Sequence, residues 1–277
     1  MKDVTDMART HTRKIVTIGA TALAAAALAM SAGTAEAAST APAAYARPAA
    51  AAAPVAQAAA ATPAYAPPAR NLGPGMKGAD VKALQQRLSA LKYYPGAIDG
   101  KFGPDTQAAI WAFQEINGIK VSGVVDASTK RALVHPKSYK SPAYRGKRAT
   151  RIEVDQALEV LVLFNNNKIK LISHVSSGGG YFYDCSSAGC AQAVTPNGTY
   201  NTTAYMHGWV TVPLGAMYNP VFFIGTAYAI HGDTYVPAGP ASHGCVRVPM
   251  DVANFFHTLV KTPGTQVHVF GKPQWER

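Results

Sequence analysis

The sequence predicts a multidomain protein in which a small helical domain is followed by a mainly-β domain with one short helix. Two patterns support this fold class. Apolar residues recur at helical spacing within residues 71–136, and short β-rich runs separated by turn residues fill residues 151–271. Each region also follows a segment without such periodicity, residues 38–70 and 137–150, and a length of 277 residues suits two domains.

The N-terminal segment predicts export. A basic stretch with Arg9, Arg13 and Lys14 precedes an apolar run over 15–32, and Ala35-Glu36-Ala37 follows it. This order is typical of a secretory signal, so residues 1–37 are expected to be cut after Ala37 and the mature protein to be extracytoplasmic. An uncleaved membrane anchor is the alternative, but the run is short and alanine-rich for a spanning helix. We therefore expect no stable membrane span after processing.

The next segment, residues 38–70, consists almost entirely of Ala, Pro, Ser, Thr and Tyr. Such a composition buries little apolar surface and favours a semi-extended linker. A second, shorter linker is predicted at 137–150, where the charged residues are basic.

The helical domain shows two similar units. Gly78-Ala79-Asp80-Val81 leads into a helix with an apolar stripe, and a second helix after Pro104 buries another one. The segment Gly123-Val124-Val125-Asp126 repeats the character of Gly96-Ala97-Ile98-Asp99, and each segment is followed by a threonine, Thr129 or Thr106. This internal repeat predicts two turn–helix units.

Three short elements of this domain carry a resemblance: Leu-Gln-Gln-Arg-Leu, Ile-Asp-Gly-Lys-Phe-Gly and Ala-Phe-Gln. They resemble the small three-helix peptidoglycan-binding domain of many wall enzymes. The resemblance covers nearly all of residues 71–136 and implies binding of glycan-peptide without chemistry. A helical domain without a ligand is the alternative.

The β-rich region begins with the runs Arg151–Asp155 and Leu158–Phe164. Asn165-Asn166-Asn167 then predicts a hairpin turn before another apolar run. Near the end, Asp251 is suited to cap a short helix, and Gln266–Phe270 reads as a final strand. These elements predict one mainly-β domain.

The stretch with the clearest chemistry contains His231-Gly232 and, further on, Ser242-His243-Gly244-Cys245-Val246-Arg247. A thiol with a pKa near 8.5 is mostly protonated at neutral pH, and a nearby imidazole can accept that proton. A purely structural His–x–Cys pair and a zinc site on His231, His243 and Cys245 remain alternatives. The residues alone therefore leave nucleophile, metal ligand and structural roles open.

The complete pattern closely resembles the signature of the L,D-transpeptidase catalytic domain. Ser176–Gly180 and Thr195-Pro196-Asn197-Gly198 resemble two further stretches of that family. The resemblance extends from about Arg151 and implies that residues 151–271 form the family's β-sandwich, with a short helix behind the nucleophile.

The resemblance also implies roles for individual residues. Cys245 is the acylated nucleophile, His231 its general base, and the Gly232 carbonyl the group that orients the imidazole. His243 shapes the site, and backbone N–H groups around Gly244 and Cys245 form an oxyanion hole. The carbonyl adds no charge, so a thiolate–imidazolium pair is expected to be accessible.

Substrate contacts are expected from Arg247, Ser242 and Tyr228. A guanidinium at position 247 is able to bind a carboxylate in bidentate fashion, although an ordinary ion pair is the alternative. Tyr228 closes an aromatic-rich region, residues 205–228, which is either a set of packed strands or a lid over the cysteine. The sequence leaves these two interpretations open.

The implied function is that of a secreted acyltransferase of the cell wall. Cys245 attacks a tetrapeptide stem of peptidoglycan, D-Ala leaves, and the side-chain amine of a second stem resolves the thioester into a 3→3 cross-link. The resemblance implies no metal or organic cofactor. It does imply that carbapenems acylate and trap the cysteine. The alternatives are an L,D-carboxypeptidase, in which water resolves the thioester, and a catalytically silent peptidoglycan-binding protein.

The net charge suggests an additional type of partner. The formal charge is +11, and residues 1–37 contribute four basic and three acidic side chains, so the remainder keeps about +10. Nucleic acid is a poor partner for an exported protein. Non-specific attraction to anionic wall polymers is therefore expected alongside the donor and acceptor stems.

The three cysteines allow one disulfide in an oxidising compartment. Cys185 and Cys190 are separated by small residues that let the chain fold back, so we expect them to pair and Cys245 to stay free. Closing so short a loop stabilises the fold by only about 2 kcal/mol on the chain-entropy estimate. A bond from Cys245 to either partner is the alternative and would block the nucleophile.

Overall fold

The computed structural model describes residues 65–141, 148–187 and 189–276. The predicted signal segment, residues 38–64 of the first predicted linker and residues 142–147 of the second lie outside these residues. The described residues belong to one compact unit that begins at Ala60. In this part of the chain no helix is long and apolar enough to cross a membrane.

The first region contains helices α1 (Ala79–Ala90), α2 (Pro104–Asn117) and α3 (Ala127–Val134), which confirms the predicted helical domain. A buried glutamine supports each predicted turn–helix unit. Gln85 accepts the Gly100 N–H at 2.8 Å and donates to the Thr106 hydroxyl at 3.2 Å. Gln114 likewise accepts the Gly123 N–H at 2.9 Å and donates to the Thr129 hydroxyl at 3.0 Å. The repeat in the sequence is therefore a repeat of hydrogen bonds, in which each glutamine satisfies the backbone of the following turn.

The second region is mainly β, as predicted. Its elements are β1 (Arg151–Asp155), β2 (Val160–Asn165), β3 (Lys168–His174), β4 (Phe182–Ser186), β5 (Gly189–Gln192), β6 (Gly198–Asn201), β7 (Ala204–Tyr205), β8 (Trp209–Val212), β9 (Gly215–Ile224), β10 (Tyr228–Asp233), β11 (Val246–Pro249), helix α4 (Met250–Leu259) and β12 (Gln266–Phe270). A short 3₁₀ turn, Gln274–Glu276, follows the last strand.

Two sheets form the sandwich. One has the strand order β3-β2-β1-β12-β6, and the other has β11-β10-β9-β7 with β8 paired to β9. An apolar core fills the space between them and includes Leu161, Leu163, Ile230 and Val246. Strands β4 and β5 form a separate hairpin. Helix α4 begins directly after β11 and contacts β9, β10 and β11.

Strand β2 shows why the two regions are not independent. Its apolar run is buried on both faces. Leu161 and Leu163 enter the sandwich core, whereas Val160, Val162 and Phe164 join the core of the helical region. Because neighbouring strand residues point to opposite faces, one strand contributes to two cores. The two predicted domains therefore share an apolar interface.

Part of the predicted basic linker packs into the same interface. Tyr139 is 8% exposed and lies in the shared core. Its hydroxyl donates to Glu153 of β1 at 3.3 Å, and the Ser141 hydroxyl donates to the same carboxylate at 3.0 Å. The described residues 137–141 thus join the two regions physically rather than space them apart.

The helical region also hydrogen-bonds to the first sheet through its backbone. Tyr94 donates its N–H to the Ile172 carbonyl at 3.2 Å, and the Ile172 N–H donates to the Lys92 carbonyl at 2.7 Å. The segment that follows α1 therefore runs alongside β3 for a short distance.

Candidate active site

A groove of about 710 Å³ opens at the second sheet, and both Cys245 and His231 line it. His231 lies on β10, and Cys245 ends the turn that leads into β11. Because β10 and β11 pair in parallel, with Ile230 opposite Val246, their first residues lie at the same end of the sheet. The structure thus brings together the two residues that the sequence assigns to catalysis.

The orientation of His231 agrees with its expected role. Its ring is buried, and Nδ1 lies 2.9 Å from the Gly232 carbonyl oxygen. A carbonyl only accepts hydrogen bonds, so Nδ1 carries the proton and Nε2 remains the basic nitrogen. Gly232 also lies close to α4, since a Cβ there would come within 2.8 Å of the Ala253 side chain. A larger residue would displace the carbonyl that orients the base.

The Cys245 thiol is free, and its hydrogen-bond contacts are to Ala227 O at 3.8 Å and Met217 Sδ at 4.0 Å. Burial raises the pKa of this thiol, although the Ala229 N–H and Arg247 partly offset the effect. Burial also lowers the pKa of His231, against the Gly232 carbonyl and Asp233. Both shifts favour the neutral thiol and the neutral imidazole. Burial therefore favours the neutral pair over the thiolate–imidazolium pair, whose accessibility stays a prediction.

The turn before Cys245 is held by internal hydrogen bonds. The Ser242 hydroxyl donates to the Cys245 carbonyl and accepts the Gly244 N–H at 2.9 Å. Gly244 has a φ of 140°, and a Cβ there would lie 2.7 Å from both Tyr228 and the Val194 carbonyl. Only glycine fits this position.

Two sequence-based expectations concern this turn. The Gly244 N–H is engaged by Ser242 and is not a free oxyanion donor, so the Cys245 N–H remains the donor expected from this turn. Ser242 is 1% exposed, and its hydroxyl serves both ends of the turn. Its hydroxyl therefore holds the nucleophile in place, and the residue also lines the groove, so its expected contact with substrate stays a prediction.

A neighbouring segment, residues 176–179, is joined to the catalytic turn and the start of β11 by backbone hydrogen bonds. Ser176 and Arg247 exchange backbone hydrogen bonds at 3.0 Å in each direction. The Ser177 carbonyl accepts the Ser242 N–H at 2.9 Å, and the Gly179 N–H donates to the Ser242 carbonyl at 2.9 Å. The serine–glycine stretch noted in the sequence is therefore the backing of the catalytic turn.

A buried carboxylate anchors this backing. Glu159 is 0% exposed and accepts the Ser177 N–H at 2.7 Å and the Ser177 hydroxyl at 2.6 Å. Burial raises the pKa of Glu159 to about 8, although the two bonds from Ser177 act in the opposite direction. The sequence analysis did not identify this residue, because a single glutamate beside a strand carries no local signal.

Arg247 lies in the groove wall and is paired. Its Nε lies 3.1 Å from an Asp233 carboxylate oxygen, and both side chains are slightly more than four-fifths buried. The ion-pair alternative is thus what the structure shows, and it uses one edge of the guanidinium. Asp233, which the sequence analysis did not single out, is the residue that orients this side chain.

His243 packs against two tyrosines, Tyr181 just before the β4–β5 hairpin and Tyr183 within it. Its ring centroid lies 5.4 Å from that of Tyr181 and 4.8 Å from that of Tyr183, both edge-on. These contacts fit the expected role of His243 in shaping the site. The same hairpin contains the Cys185–Cys190 disulfide, and its Tyr183 and Asp184 line the groove. We refer to Tyr181–Gln192 as the disulfide hairpin.

The aromatic region 205–228 consists of strands and also forms groove wall. Trp209 on β8 is 52% exposed and packs on the Tyr218 ring of β9 at 5.3 Å. The β8–β9 hairpin and Tyr228 line the groove. The region therefore consists of packed strands, which is one of the two interpretations. The surface of these strands also forms a wall of the groove that holds the cysteine.

The zinc alternative has no geometric support in the part of the chain that is described, since no three His, Cys, Asp or Glu side chains are grouped as metal ligands there. His243 instead packs against tyrosines, and His231 Nδ1 is bonded to Gly232.

We predict a pH profile from the neutral resting pair. His231 must be unprotonated to accept the thiol proton, so acylation should be lost as the pH falls through the His231 pKa, which lies below the usual histidine range. Between that pKa and the raised pKa of Cys245, kcat/KM should be level. The measurement is kcat/KM for acylation against pH. Alkylation of Cys245 by iodoacetamide provides the control, and a thiol that titrates below neutrality would contradict the neutral pair.

We also predict that Arg247→Lys lowers turnover of stem peptides by about 10-fold, because an ammonium cannot replace the planar fork in a charge-assisted bond. Labelling of Cys245 by iodoacetamide should change far less. Asp233→Asn is the matched control, since it keeps the guanidinium and removes the negative charge of its partner. Equal losses with both reagents would show that Arg247 supports the fold or the thiol instead.

Fold and site together define a class of protein: a β-sandwich whose groove holds a cysteine and a carbonyl-oriented histidine, the combination used in thiol acyl transfer. Residues 149–269 match the L,D-transpeptidase catalytic domain family, and residues 77–133 match a peptidoglycan binding domain family. The crystal structure of an L,D-transpeptidase from Xylanimonas cellulosilytica is 34% identical, with a TM-score of 0.66, and the match covers 74% of this chain and 100% of that one. The protein therefore belongs to the L,D-transpeptidase family.

Other similarities are more distant or partial. An L,D-transpeptidase structure from Stackebrandtia nassauensis is 21% identical over 77% of this chain and 99% of that one, with a TM-score of 0.43. The spore cortex-lytic enzyme of Bacillus cereus is 44% identical over 73 residues. That match covers 26% of this chain and 28% of the relative, so the chain spans little more than a quarter of that protein.

Proposed function

We propose that this protein is an exported L,D-transpeptidase that joins peptidoglycan stems through 3→3 cross-links. The observation that carries the proposal is the pairing, in one groove, of Cys245 with a histidine whose Nδ1 is held by the Gly232 carbonyl at 2.9 Å. Membership of the L,D-transpeptidase family, with a peptidoglycan-binding region in the same compact unit, supports the choice of substrate.

In the proposed first step, Cys245 Sγ attacks the carbonyl carbon of the third stem residue while His231 Nε2 accepts the thiol proton. The Cys245 N–H stabilises the oxyanion. The amide bond to D-Ala then breaks, the proton passes from His231 to the departing amine, and a thioester remains on Cys245. Burial favours neutral forms of both groups, so proton transfer accompanies attack rather than preceding it.

In the second step, the side-chain amine of another stem attacks the thioester carbon and loses its proton to His231. The new amide forms, and the Cys245 thiol is released. The apolar β8–β9 wall and the polar Asp233–Arg247 pair give the groove two chemically different sides. This asymmetry fits a substrate that has both a peptide backbone and free charged ends.

The test is incubation of residues 38–277 with purified disaccharide-tetrapeptide, followed by mass spectrometry. A cross-linked dimer with loss of D-Ala is the expected product. Tripeptide alone would identify an L,D-carboxypeptidase, and unchanged substrate would identify a binding protein. In a separate incubation with a carbapenem, an adduct on Cys245 is expected, and a Cys185-Cys190 peptide should remain oxidised.

Export and wall association belong to the same proposal. The order of basic, apolar and Ala-x-Ala segments in residues 1–37 supports cleavage after Ala37. N-terminal sequencing of protein recovered from culture medium and wall fractions should therefore begin at Ala38. Salt-sensitive retention on walls would support an added contribution from anionic polymers.

A further inference from the structure

The segment Lys272–Glu276 lies beyond residues 149–269, which match the catalytic domain family. We refer to it as the C-terminal strap. Its Trp275 donates the indole N–H to the Gly178 carbonyl at 2.8 Å. The strap is therefore bonded to the segment that backs the catalytic turn.

The indole also lies directly on the backbone of Gly180. This glycine has a φ of 76°, and a Cβ there would come within 2.2 Å of Trp275 Cδ2. Gly178 is equally crowded, since its Cβ would lie 2.6 Å from the Ala193 carbonyl oxygen. The glycine run of Gly178–Gly180 thus lets the chain pass between the indole on one side and residues 193–195 on the other.

The glycine run connects two parts of the groove. Gly179 donates to the Ser242 carbonyl at 2.9 Å and so reaches the turn before Cys245. Gly180 donates to the Ala193 carbonyl at 2.8 Å, which closes the base of the disulfide hairpin. From that base, Tyr183 extends to the His243 ring at 4.8 Å. A displacement of the glycine run would therefore move the hairpin wall relative to the nucleophile.

The strap has a second attachment, to the helical region. Gln274 donates its amide to a Glu115 carboxylate oxygen of α2 at 3.0 Å and to the Ala157 carbonyl at 3.4 Å. Trp275 is thereby supported from both regions of the molecule.

We propose that Trp275 is a positioning residue that sets the disulfide hairpin along the groove, so that an extended stem peptide reaches Cys245 in a productive orientation. The inference rests on the proposed function. A small thiol reagent needs no hairpin wall, whereas a stem contacts the wall along its length. Misplacement of such a wall by a fraction of an ångström is expected to cost stem acylation without altering the thiol itself.

The test compares Trp275→Ala and Trp275→Phe with wild type. Trp275→Ala should lower kcat/KM for disaccharide-tetrapeptide by about 10-fold, mainly through KM, because the wall rather than the reacting groups is displaced. Trp275→Phe keeps a ring on Gly180 and loses the N–H, so an intermediate loss is expected. The rate of iodoacetamide labelling of Cys245 should stay within about twofold of wild type in both variants. Lys272→Ala, an exposed change in the same strap, is the matched control and should behave as wild type.

Two results would overturn the inference. Parallel losses with the stem and with iodoacetamide would mean that Trp275 supports the catalytic turn or the fold, and unchanged stem kinetics would mean that the hairpin is set without it. If Trp275→Ala fails to fold, Trp275→Phe decides by the same criteria. If iodoacetamide labels the wild-type protein but stems remain intact, both the proposed function and this inference are wrong. Active wild type with equally active variants sinks this inference alone.

Discussion

Cys245→Ala is expected to abolish turnover of stem peptides while binding to insoluble peptidoglycan persists. Loss of a catalytic nucleophile costs on the order of 10⁶-fold in well-studied triads, so residual turnover should fall below detection. The side chain is small and lies at the groove surface rather than in the shared core, so the variant should fold. The measurements are dimer formation by mass spectrometry and co-sedimentation with sacculi.

Cys185→Ala with Cys190→Ala is the matched control, because it removes the other two cysteine side chains and leaves the nucleophile. It should retain labelling of Cys245 by iodoacetamide, which needs no hairpin wall. Turnover that survives in Cys245→Ala would contradict the mechanism, and simultaneous loss of sacculus binding would show that both regions contribute to one binding surface.

Deletion of residues 71–136 is expected to unfold the β-sandwich rather than merely weaken its binding to the wall. The deletion would expose Val160, Val162, Phe164 and Ile172, which are buried against the helical region. Fully burying a side chain of this kind contributes about 1.5–3 kcal/mol, so the loss is on the order of 5 kcal/mol or more. That is comparable to the whole stability of an ordinary domain. Thermal unfolding and gel filtration of residues 149–277 test this expectation.

A protease site inserted between residues 142 and 147 gives the matched control. Cleavage there breaks the chain but leaves the shared core intact, so the two pieces should remain together and stay active on soluble stems. A soluble fragment 149–277 that unfolds cooperatively and is fully active would instead show that the sandwich is autonomous.

The helices, most strands and the catalytic pair follow from the sequence because their signals are local. The helical stripes and the Asn-rich turn before β3 each lie within a short window. His231, Gly232 and Cys245 are close in the chain and carry a family signature, so their proximity in space is readily anticipated. In the structure His231 and Cys245 line one groove, as predicted. The Gly244 N–H, expected to be an oxyanion donor, is instead bonded to the Ser242 hydroxyl.

The shared core was signalled but is harder to interpret from sequence. Five consecutive apolar residues, Val160–Phe164, predict a strand that is covered on both faces. The sandwich covers only one face, so a second covering element was required. Sequence patterns do not identify a partner at such a separation along the chain, and the apparent linker at 137–150 favoured separate domains.

The residues that support the site escaped prediction for the same reason. Glu159, Asp233 and Trp275 act through partners that are brought to them by strand pairing or by the final turn. Glutamate and aspartate are common on protein surfaces. Nothing in the immediate neighbours of any of the three residues marks it. Tyr183 lies next to the cysteine pair in the sequence. Its position on the groove depends on how the disulfide hairpin packs against the rest of the fold, which the sequence does not reveal.

The backbone bonds between Tyr94, Lys92 and Ile172 have a consequence for solubility. Strand β3 is the outermost strand of its sheet, and its free N–H and C=O groups would form a template for pairing with another chain. The segment after α1 occupies two of these groups at 3.2 and 2.7 Å, and the helices beyond it block the approach of a partner strand. Without this cover, an edge strand of the sheet would be open to pairing with another chain. The helical region, which matches a peptidoglycan binding domain family, therefore also covers one edge of the β-sheet.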